Sequence, residues 1–477
     1  MRLSIGMRYR NSFSLYAFVV TTSVFPRTFA SESIHDHSWK KVTTIYGENR
    51  GDYSGAAVRL NAKGDGIAIN SYNQGSIIHG KTILFIEGQT DGLDEIDLTP
   101  CEWPETDKIE YTLRSLGARL RLAIAGHGKR LAIGSHFNLA VYDFNATDGS
   151  WTSISAPSGF DNLSKTVMDV DLSYKGDVLA ISSYSFGIGQ TEMFKRNNDS
   201  EWMSVGSPIV AESENEAVSL AGDGHRVAIS EKLNGSGRNN AGMSRVYEFN
   251  TTTLDWQIIG SDIIGMPGDF AGKSLALSRD GSTLAFGAPY SDVVLANETK
   301  ASVGTVHVYR FDDLSKEWRL FGDLLMGDRP YMAFGNAIDL SSDGTIIAVG
   351  NAHTLKRDQT VRIFRYLEEN SEWIQLGKDI ESDRALKTYF GISLSLSDNG
   401  KTLAIGSPGA SRKGDANSTF NVRNAGMTAI YKYADEETDV LILVNSRETS
   451  WANDKTGSKI EIILLISFVS MFFWCDF

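Results

Sequence analysis

The chain has 477 residues, 42% of them hydrophobic, a formal net charge of −13 and two cysteines. That length and apolar content suffice for a sizeable core, in one large closed repeat array or in two or three ordinary domains. The acidic balance repels phosphate backbones and argues against nucleic acid as a partner, and Cys101 with Cys475 is too few for a disulfide framework.

Residues 1–30 read as a secretory leader. Arg2, Arg8 and Arg10 give a positive start, Phe13 to Phe25 is mostly apolar, and Thr28, Phe29 and Ala30 resemble a small-x-small cleavage site before Ser31. SWKKVTTI follows at 38–45, a Trp-bearing strand with no hairpin of its own beside it.

A repeat then begins. Its clearest copy is SLALSRDGSTLAFGAP at 274–289, and its turn glycines are Gly64, Gly128, Gly176, Gly224, Gly281, Gly344 and Gly400, a mean period of 56 residues. Short apolar runs flank an Asp-Gly or Asn-Gly turn, a strong hairpin signal because these residues tolerate positive φ. A second, alternating hairpin follows and ends in a Trp strand, at Trp151, Trp202, Trp256, Trp318 and Trp373. One period therefore holds four strands, the content of one propeller blade. The last copy stops after TAIYKY at 428–433 without a Trp strand, so the spare N-terminal strand is expected to complete it and remove the open edges. The expectation is an all-β fold, a seven-bladed β-propeller over 31–436 closed by an N-terminal strand.

A polar stalk at 437–459 and a hydrophobic tail at 460–477 complete the chain. The apolar run 462–474 reaches only about 20 Å as a helix, short of a bilayer core, and resembles either a membrane anchor or a glycolipid (GPI) anchor signal. Glycosylation triplets at Asn145, Asn162, Asn198, Asn234, Asn250, Asn297 and Asn417 fit a glycoprotein of the secretory pathway, extracellular or held at the cell surface.

Phe270-Ala271-Gly272 followed by Gly287-Ala288-Pro289, and Phe390-Gly391 followed by Gly406-Ser407-Pro408, resemble FG-GAP repeats. Those repeats build the seven-bladed propeller of integrin α subunits and related cell-surface proteins. The resemblance spans roughly 39–433. It implies a binding role for the face that carries the long loops. It also brings calcium into view, but the tight Ser278-Arg279-Asp280-Gly281 turn lacks the six to eight oxygens that calcium needs, so no metal or cofactor is expected.

No motif points to catalysis: H-E-x-x-H and G-x-S-x-G are absent, and the stretch at 268–274 fails the phosphate-loop spacing because Pro267 stands where its first Gly belongs. The long segments 231–243, 290–303 and 409–425 share the face opposite the tight turns. Variable loops on a rigid scaffold are the usual place for binding, which makes Tyr290, Asp292, Arg412 and Lys413 the candidate ligand-binding residues. The expected function is a non-catalytic binding or adhesion module for extracellular protein or glycan, with the membrane reached through the C-terminal tail. The alternative is a secreted hydrolase or lyase acting on polysaccharide, which calls for clustered carboxylates near the propeller axis with at least one raised pKa.

Overall fold

The computed structural model describes residues 2–8, 14–20, 38–73, 78–86, 105–113, 121–135, 138–147, 149–160, 165–198, 201–211, 213–232, 239–295, 298–351, 359–382, 388–412, 422–434, 441–442 and 464–465. The chain divides into two units, His37–Asp435 and a second made of Met1–Asp36 with Glu436–Phe477. In the second, Arg2–Arg8 pairs with Ser14–Val20, and Leu441–Ile442 with Leu464–Leu465. The expected leader cleavage site, most of the expected stalk at 437–459 and most of the apolar tail at 460–477 lie outside the described residues. No described helix is long and apolar enough to cross a membrane.

The larger unit is an all-β propeller. Among the described residues it contains seven antiparallel sheets of four or five strands. In chain order their innermost strands are Ala57–Leu60, Arg121–Ile124, Thr166–Leu172, Asn215–Leu220, Ser274–Leu277, Ala337–Leu340 and Ser393–Leu396. Each inner strand packs beside the next, and the last packs beside the first. The fifth sheet shows the plan: Ser274–Leu277, Thr283–Ala288, Thr305–Asp312 and Glu317–Leu320 pair in that order outward from the axis. The seventh takes its outermost strand from the other end of the chain. Ser38–Tyr46 pairs with Met427–Ala434, with Ser38 opposite Ala434.

The second strands are buried on both faces because a sheet packs on either side of them. All six residues of Thr283–Ala288 are buried, which is why these segments read as continuous apolar runs. Core clusters lie between successive sheets. One joins Val58, Ile67 and Ile69 of the first sheet to Ala404 and Ile430 of the seventh. Each buried Val or Ile there contributes about 1.5–3 kcal/mol by leaving water.

The Ser-x-Asp-Gly turn is held from within. Ser278 Oγ accepts the Thr283 amide at 2.9 Å and donates to Asp280 Oδ1 at 2.6 Å, and Asp280 Oδ1 also takes the Ser282 amide at 2.9 Å. Gly281 sits at φ +70°, where a β-carbon is penalised. The same bonding recurs at Ser341 with Asp343 and at Ser397 with Asn399.

The Trp strands lock neighbouring sheets at the rim. Trp256 donates Nε1–H to Val205 O at 2.8 Å, Trp318 to Ile259 O at 3.0 Å, Trp373 to Phe321 O at 2.8 Å and Trp39 to Leu376 O at 3.2 Å. In each case the acceptor precedes a glycine, and in the first three the indole lies on it. A β-carbon on Gly206, Gly260 or Gly322 would come within 2.7, 2.5 or 2.7 Å of the Trp Cδ1.

Candidate functional site

Strand direction sets the two faces. Inner strands run toward the tight turns, so second strands end on the opposite face, called here the loop face. Ser38 and Ala434, paired at the edge of the seventh sheet, both lie on the turn face.

On the turn face the residue after each inner strand's Ser, Ala or Asn bonds its counterpart in the following sheet. Ala62 N–H donates to Gly126 O, Gly126 to Tyr174, Tyr174 to Gly222, Gly222 to Arg279, Arg279 to Ser342, Ser342 to Asp398, and Asp398 back to Ala62, all between 2.7 and 3.0 Å. The series closes on itself. Within it, the Arg279 guanidinium lies 3.3 Å from the Tyr174 ring centroid and bonds Asp398 at 2.6 Å. It thus joins the third, fifth and seventh sheets at the axis. Glycine at the neighbouring positions makes room: a β-carbon on Gly126 would sit 2.0 Å from Tyr174 Cδ2, and one on Gly222 2.5 Å from Arg279 Cγ. Gly126→Ala is therefore expected to destabilise by about 1–3 kcal/mol through overpacking, with Gly126→Ala/Tyr174→Ala recovering part of the loss in a thermal melt.

A channel of about 190 Å³ runs along the axis, lined by Arg59, Asp169, Asp171, Ser219, Asp339 and Ser395 among others. The acidic side chains bridge sheets. Asp171 takes the amide of its own neighbour Leu172 at 2.8 Å and that of Leu220 in the next sheet at 2.7 Å. Asp339 does the same with Leu340 at 3.0 Å and Leu396 at 2.7 Å. Ser219 and Ser395, at the same register, reach forward only, to Leu277 and Leu60. The aspartates follow sheets that have Ala123 and Ala276 at this register, side chains that offer no acceptor. The second oxygen of each aspartate takes up the amide left by that alanine. Asp171→Ser should thus cost about 1–3 kcal/mol by stranding the Leu172 amide, and Ala123→Ser in the same chain should return part of it in urea unfolding.

Burial raises all three axial carboxyls, Asp169, Asp171 and Asp339, against the pull of Arg59, and it takes Asp171 to about 7. Among the described residues no group of three or more His, Cys, Asp or Glu has metal-holding geometry.

The loop face carries a cleft of about 700 Å³ over the second to fifth sheets. It is lined by Arg121, Thr166, Val167, Met168, Tyr184, Glu214, Glu216, Lys232, Gly268, Phe270, Lys273 and Tyr290. Its position follows from a break in the repeat. In the first, fifth, sixth and seventh sheets a glycine stands nine residues before the turn glycine: Gly55, Gly272, Gly335 and Gly391. Each donates its amide to the end of its own second strand, Gly272 to Gly287 O for example at 3.0 Å. The Gly272 carbonyl accepts Ser230 Oγ of the preceding sheet at 2.7 Å, and a β-carbon there would meet Ser230 Cβ at 2.6 Å. The chain so folded covers the loop face. At the same register the third and fourth sheets carry Val167 and Asn215, with a bulge at each, and the cleft lies open beside them. The second sheet has Arg119 there, outside the described residues.

Within the cleft Phe270 and Tyr290 meet edge to face at 5.1 Å. Lys273 pairs with Glu216 at 2.8 Å, and Arg121 faces Asp169 at 3.7 Å while also bonding Met168 O. Lys232 Nζ lies 5.9 Å from the Phe270 centroid. The surrounding lip is apolar, with Phe186 94% and Met266 74% exposed.

Of the residues expected from sequence, Tyr290 lines this cleft. Asp292 stands two residues on, holding the Ser302 amide at 2.8 Å. Arg412 belongs to the seventh sheet, where its main chain pairs with Val422 and its guanidinium reaches Glu48 O at 3.3 Å. Lys413 lies outside the described residues, as do Asn162, Asn234, Asn297 and Asn417. Asn145 and Asn250 end strands at the rim, and Asn198 sits in an exposed turn.

No protein-family description matches the chain, and no curated protein matches it. Solved structures do. The chain is similar to U3-55K (14% identity over 83% of this chain and 98% of that chain, TM-score 0.49). It is also similar to the WD40 repeats of RRP9 (13%, 83% and 100%, TM-score 0.49). A third likeness is to hydrazine synthase of Kuenenia stuttgartiensis (11%, 77% and 96%, TM-score 0.47). Nothing about activity or partners passes from these proteins to this chain.

Proposed function

We propose that the chain is a non-catalytic binding module of the cell exterior, built on a seven-bladed ring and recognising protein or glycan through its loop face. The cleft carries this reading: a concave site with an aromatic pair and a few convergent polar groups is the usual form of a recognition site. The seven sheets and the closed series of turn-face hydrogen bonds support the blade number. The chain leaves the last sheet at Ala434 on the turn face, opposite the cleft. Asn145 and Asn198 are exposed, as glycan acceptors must be.

A screen against extracellular glycans and matrix proteins tests this. Saturable binding is expected, weakened about tenfold or more by Tyr290→Ala or Phe270→Ala. Binding that ignores both substitutions removes the cleft from the account.

A polysaccharide-active hydrolase is the second reading, and the axial carboxylates are the observation on its side. Their oxygens are bonded to main-chain amides of two sheets, which suits a structural bridge better than proton transfer. Turnover of a polysaccharide that Asp171→Asn abolishes would reverse this order.

A further inference from the structure

We propose that the loop-face cleft takes an acidic oligosaccharide, with a sugar ring laid on Phe270 and Tyr290 and its carboxylate met by Lys232. This rests on the cleft being the binding face. In a chain of net charge −13, the lining concentrates three cations, Arg121, Lys232 and Lys273, against two carboxylates, Glu214 and Glu216. Glu216 is spent on Lys273 at 2.8 Å. Asp169, which does not line the cleft, faces Arg121 at 3.7 Å and offsets it in part. No described carboxylate pairs with Lys232, whose ammonium lies beside the Phe270 ring. A cation next to an aromatic pair offers an acidic sugar both things it presents, an anion and an apolar ring face. Glu214, also in the lining, is left to accept hydroxyl donors. The volume of about 700 Å³ suits a few sugar units rather than a folded domain.

The probe is a tetramer of galacturonic acid, titrated calorimetrically against the full chain with its own glycans trimmed, beside the tetramer's methyl ester. The ester keeps the shape and removes the charge. The acid should bind about tenfold or more tightly than the ester, and Lys232→Ala should abolish that difference while Lys232→Arg keeps it. Raising salt from about 0.05 to 0.5 M should weaken the acid and leave the ester unchanged. Leu314→Asp, in an exposed turn on the opposite face, should leave the tetramer's affinity as it was. Equal affinity for acid and ester, or no binding of either, overturns the proposal. The binding-face reading then stands or falls separately, on whether Tyr290→Ala changes retention in the wider glycan and protein screen. Binding of a matrix protein that Phe186→Asp abolishes, with no tetramer binding, would assign the face to a protein partner instead.

Discussion

Trp318→Ala is expected to lower the unfolding free energy by about 3–5 kcal/mol, read as a fall in the urea midpoint with an unchanged slope. Trp318 is 8% exposed, packs on Phe311 at 5.1 Å and donates to Ile259 O across the sheet boundary. Its removal opens a cavity and leaves that acceptor without its donor at once. Trp202 provides the comparison. Among the described residues its Nε1 has no hydrogen-bond partner, and its side chain is only partly buried, so Trp202→Ala should cost clearly less. Gly260→Ala attacks the same contact from the other side. The residue lies at φ +71°, and an added β-carbon would come within 2.5 Å of the indole. If Trp318 and Trp202 prove equal, the rim contacts add packing and nothing more.

The second large effect is a dependence of stability on pH. The Asp171 carboxyl, raised chiefly by burial to about 7 from an ordinary value near 3.8, holds its proton in the folded chain where the unfolded chain has lost it. Its contribution to stability is therefore fully present below about pH 4 and is lost as pH rises through about 7, at up to about 1.4 kcal/mol per pH unit. Other carboxylates act in the opposite sense. Asp143, against the raising effect of its burial, is held low by Arg130 and Arg196, and so favours the folded state as pH rises. The difference between the wild-type chain and Asp171→Asn isolates the axial group. That difference should slope between pH 4 and 7 and be flat above pH 8. A flat difference throughout would mean that Asp171 titrates normally and that its two amide bonds carry no electrostatic cost.

Much of the fold is legible in the sequence because each sheet repeats one local signal. The Asp-Gly turns, the doubly buried second strands and the terminal Trp each follow from steric or packing demands that act within a few residues. The N-terminal strand is legible because one unit lacks a Trp strand and the other end of the chain has a spare. The cleft is harder to see. Tyr290 and the segment that carries Lys232 are reached by the general expectation that loops bind, but Phe270 and Glu216 are not. They come together from two adjacent sheets, the fourth and the fifth, and no spacing within one repeat reports that. A signal does exist in the register nine residues before the turn glycine, where Val167 and Asn215 replace the residue that allows close approach. The axial aspartates carry a similar trace, as charges inside mostly apolar strands, Asp169 and Asp171 in one and Asp339 in another. Tyr174 and Arg279 are plain turn residues until the ring brings their side chains face to face.

The pairing of Ser38 with Ala434 places the two ends of the propeller on adjacent strands of one sheet. A linker of a few residues would join them without moving either strand, and the ring would then have no natural start. Cutting it instead at the 186–188 hairpin or at 313–315 would give chains whose residues follow a different order but whose neighbours are the same. For this architecture the beginning of the polypeptide is a choice of where to break a circle, and the outermost strand of the seventh sheet is where this chain makes that break.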